Sequence, residues 1–164
     1  MMLAELFNDA LFAAIAACGF GAVSDPAMRV FPRIALLAAT GHAARFALMN
    51  YCGWDIAAAS FVAAVVVGFG SLWLGKGVRS PMTCLYIPAL LPMIPGIYAY
   101  KTVFSLIMFL RTLSEPAEGI EYMNMFFMNA TVSVTVTALL TIGATLPMLL
   151  FKRCAFSMTR CKPN

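Results

Sequence analysis

Three basic side chains in this sequence lie within apolar runs and away from their ends: His42, Arg45 and Lys101. His42 and Arg45 are three positions apart, so on a helix they share one face. Lys101 follows a Pro-Gly pair by about a turn and a half, with Tyr98 and Ser105 on its face. A charge at the centre of a bilayer costs about 2.5–3.5 kcal/mol on insertion scales, so such residues are rare unless paired or functional. No carboxylate falls in the predicted middle of any apolar run. The countercharge is therefore expected from an anionic ligand or from acids on a partner. Arginine suits a carboxylate because its guanidinium fork makes two parallel hydrogen bonds. The chemistry this points to is binding of a small anion. A structural role is the other reading of the same residues, by snorkelling for Lys101 and by hydrogen-bonded packing for His42.

Covalent chemistry finds no support. Paired carboxylates, a Ser–His arrangement and an HExxH motif are absent, so no catalytic residue is predicted and the chain is not expected to be an enzyme. A Walker motif is absent too, which excludes ATP-driven transport by this chain. Cys18, Cys52, Cys84, Cys154 and Cys161 show no metal-ligand spacing, and an odd number argues against a disulfide framework. No metal and no cofactor are predicted.

Pro88-Ala-Leu-Leu-Pro92-Met-Ile-Pro95-Gly96-Ile-Tyr98-Ala-Tyr100-Lys101 is the stretch that positions these groups. Proline lacks an N–H and clashes with the preceding turn, so a helix through Pro92 and Pro95 must kink or break. Inside a membrane such a break survives only where protein or a wet cavity receives the freed backbone groups. Pro95-Gly96 also has the form of a helix restart. A half-helix start offers N–H donors and partial positive charge to an anion. A proline kink that only shapes packing is the plainer alternative.

The composition sets the solvent. Of 164 residues 62% are hydrophobic and 11% charged, with mean hydropathy +0.88, against roughly 45–50% apolar and about 25% charged in soluble domains. The expectation is an all-α integral membrane protein of five transmembrane helices, the fourth broken at Pro-x-x-Pro-Gly. The approximate spans are 3–23, 34–50, 56–74, 82–113 and 123–151, forming a single transmembrane domain over 1–164. Ala13, Ala17 and Gly21 in the first span, and Ser60, Ala64 and Gly68 in the third, present small faces for close helix contact. Thr131 to Thr137 alternates with a strand-like period of two. Its place in a long apolar run decides for helix, where Asn129, Ser133, Thr137, Thr141 and Thr145 form a winding polar stripe. That stripe serves either interhelical hydrogen bonding or a hydrated pathway.

Charge segregates with this reading. Arg29, Arg33, Lys76, Arg79, Lys152, Arg153, Arg160 and Lys162 fall on one side, and Glu5, Asp9, Asp55, Glu115, Glu118 and Glu121 on the other. The positive-inside rule makes the first side cytoplasmic, with the N-terminus periplasmic and the C-terminus cytoplasmic. The N-terminal region lacks the basic start of a cleaved signal, so the first helix is expected to be retained.

Pro92-Met-Ile-Pro95-Gly96-Ile-Tyr98-Ala-Tyr100 resembles the P-x-x-P-G-x-x-x-Y signature of the threonine/serine exporter family. Gly41-His42-x-x-Arg45, Gly19-Phe20 before a proline-containing loop, and Asn129 fit the same pattern, over about Leu11 to Phe151. The chain is most similar to the short, separately encoded subunit of the two-component type, which works with a larger partner and is implicated in export of succinate and similar dicarboxylates. The resemblance implies a substrate site at His42, Arg45, Pro92, Pro95, Gly96, Tyr98, Tyr100, Lys101 and Asn129, with Tyr98 where a smaller residue is usual. It also implies a bacterial inner-membrane location.

The resulting expectation is a subunit of a secondary exporter for small carboxylates, either a succinate-like dicarboxylate or threonine and serine. Five spans are few to enclose a pathway, so a larger membrane subunit of the same family, or a homo-oligomer, is expected, with the lipid bilayer around it and no nucleic acid. The alternatives are a non-transporting assembly subunit and a channel.

Overall fold

The computed structural model describes residues 2–78, 80–114 and 116–151. The expectations attached to Arg79, Glu115, Lys152, Arg153, Cys154, Arg160, Cys161 and Lys162 lie outside the described residues. Among the described residues, six α-helices follow in order: α1 Met2–Val23, α2 Phe31–Cys52, α3 Ile56–Val78, α4 Thr83–Leu90, α5 Gly96–Arg111 and α6 Pro116–Leu150. Short 3₁₀ turns occupy Met28–Val30 and Leu91–Met93. Among the described residues there is no strand, and the alternating Thr131–Thr137 segment lies inside α6. The fold is all-helical.

Three of these helices, over Ala4–Val23, Ile56–Gly77 and Ala117–Leu150, are long and apolar enough to cross a membrane. Thr83–Met93 and Gly96–Arg111 add a fourth when taken together as one interrupted span. The 22 residues of α2 reach about 33 Å at 1.5 Å per residue, which is a membrane thickness. Arg33, His42 and Arg45 keep α2 outside the apolar set.

Local chemistry sets the ends. α1 stops at Ser24-Asp25-Pro26, where Asp25 takes φ 44, a left-handed conformation that a short polar side chain tolerates. α2 starts at Phe31, three residues before the expected Ile34. Pro32 fits the first turn of a helix, where its missing N–H has no partner to lose. The helix closes at Gly53, φ 65, whose N–H reaches Leu48 O. Asp55 then caps α3, its Oδ2 accepting the N–H groups of Ala57 and Ala58 at 3.0 and 3.1 Å. α6 begins ahead of the predicted 123 because a helix can continue past the apolar run, here through exposed Glu118 and Glu121.

The chain packs as two compact units, residues up to Met93 with those from Leu139 onward, and residues Ile94–Ala138. In the first, α1 and α2 form an antiparallel hairpin and α3 returns antiparallel to α2. Gly70 lies against Leu37 while Arg33 reaches Leu74 O near the other end of the pairing. The small faces of α1 and α3 are buried: Ala13, Ala17 and Gly21 on one, Ser60, Ala64 and Gly68 on the other. Lipid tails are as apolar as leucine, so helices here associate by close contact rather than by escape from water. The closest approach joins α3 to the last part of α6. A Cβ at Gly68 would stand 2.7 Å from Ala144 O, and one at Gly143 would stand 2.8 Å from Phe61 O. In the second unit Tyr100 stacks on Phe104 at 6.2 Å, while Ile97, Val103, Leu110, Phe127 and Met128 face outward.

Gly143→Leu should therefore force α3 and α6 apart, at a cost of about 1–3 kcal/mol for overpacking. Gly19→Leu, where an added Cβ meets no atom within 4 Å, serves as the control. Thermal unfolding in detergent should show a Tm lower by several degrees for the first variant alone. Equal Tm values would mean that the α3–α6 contact is not tight.

Candidate functional site

The helix interruption has a defined backbone course. α4 ends at Leu90, a 3₁₀ turn carries the chain over Leu91–Met93, and α5 starts at Gly96. Pro95 sits between them with φ −78 and ψ 71, and Gly96 N–H donates to Ile94 O at 2.8 Å. These values are those of an inverse γ-turn centred on Pro95. The missing N–H groups of Pro92 and Pro95 remove two donors that would otherwise serve carbonyls of the preceding turn.

Arg45 supplies a donor at this point. Its Nη1 donates to Met93 O at 2.8 Å, bringing the middle of α2 to the end of the 3₁₀ turn. A guanidinium has five N–H donors, and this bond uses one. A cation at the carbonyl end of a helical segment is also favourably placed against its dipole. One turn earlier on α2, His42 is 5% exposed, and its Nδ1 lies 3.2 Å from Asp9 Oδ2 on α1. An ionised carboxylate only accepts hydrogen bonds, so against one Nδ1 would be the donor. The other ring nitrogen, Nε2, is buried without a hydrogen-bond partner among the described residues.

This corrects one expectation. By its place in the sequence Asp9 is expected on the outer acidic surface, with no acid for the intramembrane bases. The structure places Asp9 within α1 and against His42. A signal for it exists in the sequence. Folding α1 and α2 around the turn at 24–30 pairs positions whose numbers add to roughly fifty, as Gly21 with Phe31 and Cys18 with Phe31 show. Asp9 and His42 satisfy the same rule.

The other expected residues group differently. Pro92 belongs to the 3₁₀ turn in the unit that holds Arg45. Pro95, Gly96, Tyr98, Tyr100, Lys101 and Asn129 belong to the second unit. There, Tyr98 and Asn129 line one open cleft of about 460 Å³ with Met125, Met128, Thr131 and Val132. Tyr100 and Lys101 are exposed, and Ser105 Oγ donates to Lys101 O at 2.7 Å. A Cβ at Gly96 would meet nothing within 4 Å, so no close backbone approach explains that glycine. The start of α5 is also less open to a ligand than a bare helix terminus. Gly96 N–H has Ile94 O, and Tyr98 and Ala99 N–H both have Pro95 O. Along the polar stripe of α6, Asn129 Nδ2 donates to Met125 O, Thr137 Oγ1 to Ser133 O, and Thr145 Oγ1 to Thr141 O. Each of these donors has a carbonyl partner within its own helix.

The Asp9–His42 pair gives a direct expectation. Asp9→Asn and His42→Gln should each lower the Tm, and the double variant should cost less than the two single losses added together. The coupling expected for a contacting pair is about 0.5–3 kcal/mol. Strict additivity would place the two side chains out of contact.

Residues 9–150 match the family described as Threonine/Serine exporter, ThrE. A stretch of 107 residues, 65% of this chain, is 35% identical to an uncharacterized protein of Haemophilus influenzae. That stretch makes up 36% of the Haemophilus protein, so the chain spans about a third of the length of the curated relative it matches. No solved structure matches. The family match opens at Asp9 and closes in the last turn of α6, so it takes in the whole Asp9–His42–Arg45–Met93 cluster. On that coverage, this chain belongs to the threonine/serine exporter family.

Proposed function

We propose that this chain is a subunit of a secondary exporter of small carboxylates, and that Arg45 binds a carboxylate of the substrate. The observation that carries the reading is Arg45, held on Met93 O beside the interrupted helix with most of its donors unused by that bond. The substrate is a succinate-like dicarboxylate, or threonine or serine. The family supports the class of transporter, and the cation inside an otherwise apolar chain supports the carboxylate. Pro92, Pro95 and Gly96 form a hinge in the interrupted helix. Tyr98 and Asn129, which share a cleft, with Tyr100 and Lys101 on the same α5, contribute further substrate contacts. His42 orients the cluster through Asp9.

The transporter works with a larger membrane subunit of the same family. A relative in which the matching stretch is about a third of the length supports a transport unit larger than this chain. The chain crosses the bacterial inner membrane five times, with the N-terminus periplasmic and the C-terminus cytoplasmic. The packing of the first unit supports the odd number. Gly68 meets Ala144 and Pro147, and Gly143 meets Phe61, so α3 and the end of α6 run in the same direction. Helices that cross in one direction are separated by a return crossing, and Thr83–Arg111 is the apolar stretch available for it.

Two measurements test this. In inside-out vesicles holding the chain with its co-purified partner, Arg45→Lys should weaken concentration-dependent succinate uptake and Arg45→Ala should weaken it further. A hydrogen bond to a charged group contributes about 1.5–3 kcal/mol, so the apparent affinity should fall roughly ten-fold or more in the alanine variant. Unchanged affinity in a folded, assembled Arg45→Ala complex would return Arg45 to a purely structural tie. Reporter fusions at Asn164 should give a cytoplasmic signal, and fusions within the loop at 115–121 a periplasmic one. The same signal from both positions would sink the five-pass arrangement.

A further inference from the structure

At the other end of the first unit, Arg33, Trp73, Leu74, Lys76 and Gly77 line an open pocket of about 440 Å³. Arg33 comes from the first turn of α2, and the other four from the last turns of α3. Arg33 Nη1 donates to Leu74 O at 3.0 Å. Taken alone, that bond caps the carbonyl end of α3 with a cation. Three further observations exceed a cap. The first is charge. Lys76 adds a second cation to the pocket, no acidic residue lines it, and neither base has an acidic partner among the described residues. The second is space. A Cβ at Gly77 would make ordinary contact with the two Nη atoms of Arg33, at 3.4 and 3.5 Å, so the guanidinium lies along the bare face of that glycine and a larger side chain there would enter the pocket. The third is depth. The apolar span of α3 ends at Gly77, which puts the pocket where hydrocarbon gives way to headgroups. Trp73 beside it is 77% exposed, as tryptophan is at that level of a bilayer.

A cationic, acid-free pocket at headgroup depth with an aromatic neighbour matches the phosphate of a lipid. We infer that Arg33 and Lys76, over the bare face of Gly77, bind the phosphate of an anionic phospholipid, whose acyl chains run along the apolar surface beside Trp73. The Leu74 bond fixes the guanidinium, and its remaining N–H groups can meet two phosphate oxygens. A soluble phosphate compound would use the same chemistry, but the bilayer delivers lipid phosphate at this depth. The inference does not depend on which substrate the protein moves.

The test uses the full chain with Trp54→Phe, which leaves Trp73 as the one tryptophan. It is reconstituted in phosphatidylcholine bilayers containing equal mole fractions of brominated phosphatidylglycerol or brominated phosphatidylcholine. Bromine quenches only tryptophan that it touches, so the ratio of quenching reports relative occupancy. Two basic residues at a membrane surface should favour the anionic lipid by at least about five-fold. Arg33→Gln with Lys76→Gln should bring the ratio to one. Gly77→Leu, which keeps both charges and fills the pocket, should also lower it, which a diffuse surface attraction would not. A ratio of one before these changes, or one that Gly77→Leu leaves intact, would overturn the site. Loss of the preference on adding millimolar inorganic phosphate at constant ionic strength would overturn the lipid assignment in favour of a soluble phosphate ligand.

Discussion

A carbonyl that loses its helical partner inside a bilayer must find another donor, since an unpaired backbone group there costs several kcal/mol. Met93 presents such a carbonyl where the helix gives way to the turn at Pro95, and Arg45 answers it. Much of the first unit follows from that pairing. An arginine at mid-helix requires α2 to be the least apolar of the long helices. It also makes a nearby negative charge favourable, and Asp9 brings one to the same region through His42. The proline pair, the arginine, the histidine and the aspartate thus form one chain of dependence across α1, α2 and the turn after α4. Removing Arg45 takes the side-chain donor from the Met93 carbonyl, and removing Asp9 leaves the buried His42 ring without its partner.

Elsewhere in this unit the contacts are of another kind. Helices in lipid gain little from burying leucine against leucine, so they need backbone proximity or polar ties. Gly68 and Gly143 provide the first between α3 and α6, and Arg33 on Leu74 O provides the second between α2 and α3. The second unit has few such devices. Its large apolar side chains face outward, as suits helices that meet lipid or another membrane subunit.

Much of this was legible from residue types. The runs at 3–23 and 56–74 match α1 and the apolar part of α3, because hydropathy over a membrane thickness is a strong signal. The helix stops where Pro92 and Pro95 remove its donors. His42 and Arg45 lie on one helix near that stop, as their spacing requires. Less visible were the consequences of pairing. Arg45 has a backbone carbonyl as its partner in the chain, and carbonyls carry no residue identity that a sequence could announce. Asp9 reads as a surface acid when charges are counted by loop, and becomes a partner of His42 only once α1 and α2 fold back on each other. The boundaries of α6 differ for a related reason: backbone hydrogen bonding continues through Glu118 and Glu121, while hydropathy stops short of them.

The local geometry also bears on which feature near the interrupted helix could serve the proposed anion site. A helix start is an attractive candidate in principle, because its first N–H groups lack partners. At Gly96 the γ-turn and the Pro95 carbonyl take up the N–H groups of Gly96, Tyr98 and Ala99. The donor with capacity to spare is the arginine across α2. One of its five N–H groups ties it to Met93, which fixes its position and leaves the other four outside that bond. Lysine has three donors on one rotating nitrogen and cannot hold a backbone carbonyl and a carboxylate with the same planar geometry. An arginine at position 45 therefore meets both demands in the proposed role, closing the gap in the backbone and presenting a charged fork beside it.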